Sequence, residues 1–174
     1  MNEKLLTSEL MILALKHLDQ LLPKKVLLTV GGGGSMILAH HFPLATTDLD
    51  AIPQGMELYE FDHFIKQVSL ELGIPGDWLN PYFSTFAYVL PADYKNRLVS
   101  VFNGKTLTAM ALGKEDMLIM KCFAHRKKDI AHARALIKAG ADTQMVEKHI
   151  LHLQDKGLTA AKDAIDFLDD LLEE

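Results

Sequence analysis

The 174-residue chain has a single cysteine, Cys122, so no disulfide can form within it and no cysteine-based zinc finger is available. A reducing compartment is the simple expectation. No apolar run approaches the roughly 18 residues that a membrane-spanning helix needs; Leu10 to Leu15 is among the longest. The opening Met1-Asn2-Glu3-Lys4 has no basic region followed by a small-residue cleavage site, and nothing marks a lipid anchor, so a cytoplasmic location is expected. Basic charge is scarce too: 18 Lys and Arg stand against 23 Asp and Glu, a net charge of −5. That balance excludes electrostatic coating of nucleic acid while allowing a local basic site. Internal repeats and low-complexity linkers are absent.

What is present is ordinary for a globular protein, with 49% hydrophobic and 24% charged residues. The length is enough to bury a sizeable core without staples. Apolar positions at Leu10, Leu13 or Ala14, Leu18 and Leu21 predict a helix from Thr7 to Leu22, stopped by Pro23. Val26 to Val30 reads as a short buried strand, Ser35 to His41 as a short helix, and Thr46 to Ile52 as a strand of period two. Glu57 to Leu72 is amphipathic with helical spacing, and Gly73 to Pro81 is a turn-rich loop around Trp78. Strands are expected over 84–90, 97–102 and 107–112, the last two joined at Asn103-Gly104, a favoured hairpin turn. Helices follow over 114–125, 127–138, 143–153 and 158–172. The expected architecture is α/β (α+β): a mixed sheet of four or five strands in residues 1–112, with a helical region, 113–174, packed on it as one compact unit.

The segment from Val30 to Ile52 carries the chemistry. An apolar strand runs into Gly31-Gly32-Gly33-Gly34-Ser35, then a short helix, then Asp48-Leu49-Asp50. Glycines at a strand-to-helix junction bare the backbone N–H groups to a phosphate, and the helix end adds a favourable dipole. Ser35 adds a hydroxyl donor. Two aspartates either side of Leu49 aim their carboxylates to one side of a strand, close enough to share Mg²⁺ ions. Such an arrangement suits in-line attack on a nucleotide. It is not a Walker A loop, because no Gly-Lys-Ser/Thr closes it. Nor is it a dinucleotide fingerprint, because the acidic residues come too early and on the wrong element.

Gly33, Gly34 and Ser35, followed by Thr46-Thr47-Asp48-Leu49-Asp50, resemble the signature of the nucleotidyltransferase superfamily that includes DNA polymerase beta. The likeness extends to small bacterial and archaeal nucleotidyltransferase-like proteins, including the AbiEii type of toxin. Those proteins have a later helix pair similar to Glu115–Lys121 and Arg126-Lys127-Lys128-Asp129, and one such group has an element like Gly76–Asn80. In all it covers most of residues 26–138. The resemblance implies a nucleotidyltransferase fold and Mg²⁺-dependent transfer of a nucleoside monophosphate from an NTP to a hydroxyl acceptor. That acceptor would be a small molecule, a protein side chain or a tRNA end. Asp48 and Asp50 would bind metal and act in catalysis, with Asp77, or next Asp93, as the third carboxylate that such enzymes usually supply. Gly33, Gly34, Ser35 and Thr46 would hold the nucleotide, and Lys121 and Arg126 would neutralise phosphate charge.

Three departures oppose that reading. Leu44 and Ala45 stand where relatives often place Arg, Asn80-Pro81 where a carboxylate is convenient, and His132 where an acidic residue is usual. They point to the alternative of a catalytically lapsed nucleotide-binding protein, or of a partner-binding member of a toxin–antitoxin-type pair. The remaining candidates have plainer readings. Lys121, Arg126, Lys127 and Lys128 equally fit a solvated helix junction. His149 and His152 form an i, i+3 pair with no evident third metal ligand. Met110, Met117 and Met120 read as core filler and Cys122 as an inert buried thiol. Trp78 either anchors its loop to the core or lines the nucleotide pocket, the anchor being favoured. The amphipathic last helix packs on the helical half, with a homodimer or partner contact as a secondary use.

Overall fold

A computed structural model describes residues 5–81 and 87–173. The chain divides into two units, residues 1–85 with 98–112, and residues 86–97 with 113–174. The sequence pattern places 86–97 in the core half, whereas the fold groups it with the helices.

The first unit opens with α1 (Ser8–Leu21), capped by the Thr7 hydroxyl, which accepts from the Leu10 amide at 3.2 Å. β1 (Val26–Val30) leads into α2 (Gly32–Leu38), and β2 (Leu49–Gln54) into α3 (Leu58–Leu72). The two-residue β3 (Leu79–Asn80) and the hairpin of β4 (Val99–Asn103) and β5 (Leu107–Ala111) complete a five-stranded sheet, order β3-β2-β1-β5-β4. It is mixed: β1 runs parallel to β5 and antiparallel to β2, β2 is parallel to β3, and β4 is antiparallel to β5. Central β1 is buried except at Leu27, as its apolar, β-branched run requires. Met11, Leu15 and Leu18 of α1 and Phe61, Ile65 and Val68 of α3 join Leu28, Leu49 and Leu107 of the sheet in one core.

Three expectations are corrected here. α2 starts at Gly32 rather than Ser35 and ends at Leu38, because the glycines themselves form its first turn. Glycine is a poor helix former, but packing overrides propensity where only a bare backbone fits. The strand expected over 46–52 is shifted to 49–54, set by pairing with β1 from Val30↔Ala51 to Leu27↔Gln54. Thr46 bridges to Leu6 instead, and Asp48 precedes the strand. Of the strand expected over 84–90, residues 84–86 lie outside the described residues, and 87–89 form a 3-10 turn. A short apolar run fits a buried turn as well as a strand.

The second unit contains a 3-10 turn (Tyr94–Arg97) and helices α4 (Lys114–Ala124), α5 (Asp129–Lys138), α6 (Thr143–Asp155) and α7 (Ala160–Glu173). α4 is buried from Asp116 to Phe123. Of the two carboxylates in its first turn, Glu115 and Asp116, the buried Asp116 is held by the Arg97 guanidinium at 2.8 and 2.9 Å. α7 packs on α4 and α6 through Ala161, Ala164 and Leu168. Among the described residues no helix is long and apolar enough to cross a membrane.

Candidate active site

At the end of β1 the chain turns through Gly31, whose amide donates to the Asp50 carbonyl at 2.9 Å. Gly32 then takes φ +55°, a left-handed conformation that an L side chain rarely adopts. A Cβ on Gly32 would collide with Asp50 Oδ2, and one on Gly34 with Leu49 Cδ1. On Gly33 a Cβ would stand 2.9 Å from Thr46 Oγ1. The glycine run is therefore the complement of Thr46–Asp50: each bare Cα makes room for one of its residues. The motif's glycines and the Asp50 carboxylate are thus one packed object.

Asp48 and Asp50 flank buried Leu49, and both are partly exposed. The Thr47 hydroxyl donates to Asp48 Oδ1 at 3.4 Å. Asp50 is paired in register with Asn80 of β3, whose side-chain amide donates to Asp50 Oδ1 at 3.0 Å. Hard oxygen donors of this kind suit Mg²⁺, which is commonly held by one or two carboxylates plus substrate phosphates and water. The donor set fits such an ion with the nucleotide present. Among the described residues no three His, Cys, Asp or Glu side chains converge as a complete protein-made cage.

The other candidates take their places within their own units. Asp77 lies exposed in the turn ahead of β3, so the position beside Asp50 belongs to Asn80. Asp93 pairs with Arg97 in the other unit. Ser35 is fully buried, and its hydroxyl donates to the Leu112 carbonyl at 3.2 Å. His40 Nε2 bonds the same carbonyl at 2.9 Å, so both side chains fasten α2. That commits the Ser35 proton to the fold rather than to a phosphate. Lys121 is 4% exposed, and its ammonium lies 2.9 Å from Asp129 Oδ1. Arg126 grips the same carboxylate through Nε at 2.7 Å and Nη2 at 3.2 Å. These two cations balance a buried charge within the helical unit. Trp78 is wholly buried and its indole N–H donates to the Ile65 carbonyl at 2.9 Å: it is the anchor of its loop. Cys122 is buried, which pushes its thiol up to about 12 and leaves it inert.

Sequence reasoning overlooked Gly32 and undervalued Asn80. The first is identified only by its φ and its contact with Asp50. The second stands on a strand too short to leave a periodic signal.

A mixed sheet whose central strand turns through glycines against an Asp-Leu-Asp segment defines an α/β nucleotidyltransferase fold. A model of the DUF6036 family, nucleotidyltransferases of unknown function, matches residues 8–165, and the chain belongs to that family. No curated protein and no solved structure matches it.

Proposed function

We propose that the chain transfers a nucleoside monophosphate from an NTP to a hydroxyl acceptor in a Mg²⁺-dependent reaction at Asp48 and Asp50. The observation that carries this reading is the packing of the glycine turn onto the Asp50 carboxylate, with Asn80 bonded to its other oxygen. A triphosphate would lie beside the partly exposed backbone of Gly32 and Gly33. Thr46, whose side chain lies against Gly33, would contact it. The acceptor oxygen attacks the α-phosphorus, a new P–O bond forms, pyrophosphate leaves, and the hydroxyl proton passes to solvent. Mg²⁺ held at the two aspartates would neutralise the charge of the phosphates as that bond changes hands. Asp50 is pre-aligned by Asn80 and by the glycine wall. Asp48, at the mouth of the strand, has a carboxylate open to solvent.

The test is calorimetric titration of the four NTPs, with and without Mg²⁺, into wild type and the Asp48→Asn/Asp50→Asn double variant, followed by an acceptor screen with labelled NTP. Metal-dependent binding and transfer are expected in wild type and are lost in a still-folded double variant. Transfer near the wild-type rate in that variant overturns the reading.

A second reading is favoured by Asn80 beside Asp50 and by the committed Ser35 hydroxyl. It is a lapsed relative of the AbiEii type, binding a nucleotide or a protein partner without turnover. Metal-dependent binding with no product against any acceptor supports it.

A further inference from the structure

We propose that Asn80 is a positioning residue that makes divalent-metal binding at Asp48 and Asp50 conditional on the nucleotide; the inference rests on the nucleotidyltransferase reading above. Asp50 and Asn80 are directly opposed across the β2–β3 pair, so their side chains leave the same face of the sheet. The neighbouring residues Leu49 and Leu79 are both buried, and a one-residue slip of β3 would turn Leu79 out. Trp78 secures the short strand from the other end. Its carbonyl accepts from the Leu49 amide at 2.7 Å and its indole is bonded to α3. The amide at position 80 is therefore placed by buried structure, not by a mobile loop.

An amide here has two consequences that a carboxylate would not. Its N–H fixes the rotamer of Asp50 by donating to Oδ1, and it brings no charge. Asp48 and Asp50 are then the site's formal negative charges among the side chains described above. Two carboxylates and water hold a divalent ion weakly, while triphosphate oxygens complete the shell. Metal and nucleotide thus bind cooperatively, and by linkage each raises the other's affinity by the same factor. The neutrality of residue 80 keeps the site from loading metal alone.

Mn²⁺ serves as the probe, counted as free ion by paramagnetic resonance while it is titrated into the full chain. Titrations are run with and without a non-hydrolysable NTP analogue, corrected for the analogue's own metal affinity. Wild type is expected to bind Mn²⁺ about tenfold or more tighter when the analogue is present. Asn80→Asp, which is isosteric, raises nucleotide-independent Mn²⁺ affinity by about tenfold and shrinks the coupling. Asn80→Ala lowers affinity in the presence of the analogue by about tenfold. Melting curves establish that both variants are folded, and Asn80→Ser replaces Asn80→Ala if the latter is not. Variants that match wild type within about twofold, while Asp48→Asn/Asp50→Asn abolishes binding, overturn the role of Asn80 and leave the nucleotidyltransferase reading intact. A wild type that binds Mn²⁺ in neither condition overturns both.

Discussion

Asp129 has a carboxylate with no solvent exposure, a state that is costly unless donors replace water. Lys121 Nζ, the Arg126 guanidinium and the Arg126 amide supply them. Burial pushes its pKa up, but the bonds from Arg126 and Lys121 outweigh this and hold it below the usual carboxylate value. His132 stands beside this pair, its Nδ1 4.0 Å from Asp129 Oδ1. Burial, reinforced by the Lys121 charge and in part by Lys128 and Arg126, drives its pKa down to about 4 against the pull of Asp129. The unfolded chain therefore takes up the His132 proton first as pH falls from the ordinary histidine value of 6.5. Stability should decline between pH 6.5 and 4 by up to about 1.4 kcal/mol per pH unit. Urea denaturation of wild type and His132→Gln across that window checks it: the variant's curve should be flatter. The contribution of Asp129 is fully present above its ordinary value of 3.8 and is lost only below it, so the two windows do not overlap.

Elements are joined here by single side chains as much as by apolar faces. Asp19 sits in the last turn of α1, where a negative charge opposes the helix dipole. It is retained because it closes the β4–β5 hairpin, accepting the amides of Lys105, Thr106 and Leu107 at 3.1, 2.7 and 2.7 Å, and bonding the Thr106 hydroxyl. Burial raises its pKa, and these backbone bonds bring it below the ordinary value. Gly104 belongs to the same joint, since a Cβ there would collide with the Asp19 carboxylate. Asp19→Ala is expected to cost about 2–3 kcal/mol. Equilibrium denaturation measures that loss, and hydrogen exchange should show faster exchange confined to the amides of Lys105, Thr106 and Leu107. An unchanged midpoint would mean that water replaces the carboxylate without penalty.

At the scale of the whole molecule the chain passes between its two units at 85/86, 97/98 and 112/113. The helical unit is closed by α7, which buries Ala161, Ala164 and Leu168 and keeps its acidic residues outward. Removing residues 158–174 uncovers the faces of α4 and α6 on which α7 rests. The apolar burial lost is worth on the order of 4 kcal/mol. The truncated chain should melt earlier and less cooperatively, with loss of helical signal beyond the deleted segment. A truncated chain with the wild-type melting temperature would instead make α7 an appendage, free for a homodimer or partner contact.

Much of this was legible without coordinates. β1 was read to the residue because an apolar, β-branched run stopped by four glycines fits a buried strand better than a helix, and α1, α3 and α7 followed from their helical stripes. The glycine run and the Asp-Leu-Asp segment were equally readable as motifs, since each is local. Three things depended on tertiary contacts that no local pattern shows. The start of α2 moved to Gly32 because Asp50 and Leu49 leave no room for side chains there. Lys121 and Arg126 turned to Asp129 because a buried carboxylate binds the nearest cations more firmly than solvent does. Asn80 came to lie beside Asp50 through a strand of two residues, held by Trp78 and the Leu49–Leu79 pair. Local pattern determined the elements and the motif; packing and strand register decided which side chains meet, because those contacts join different elements.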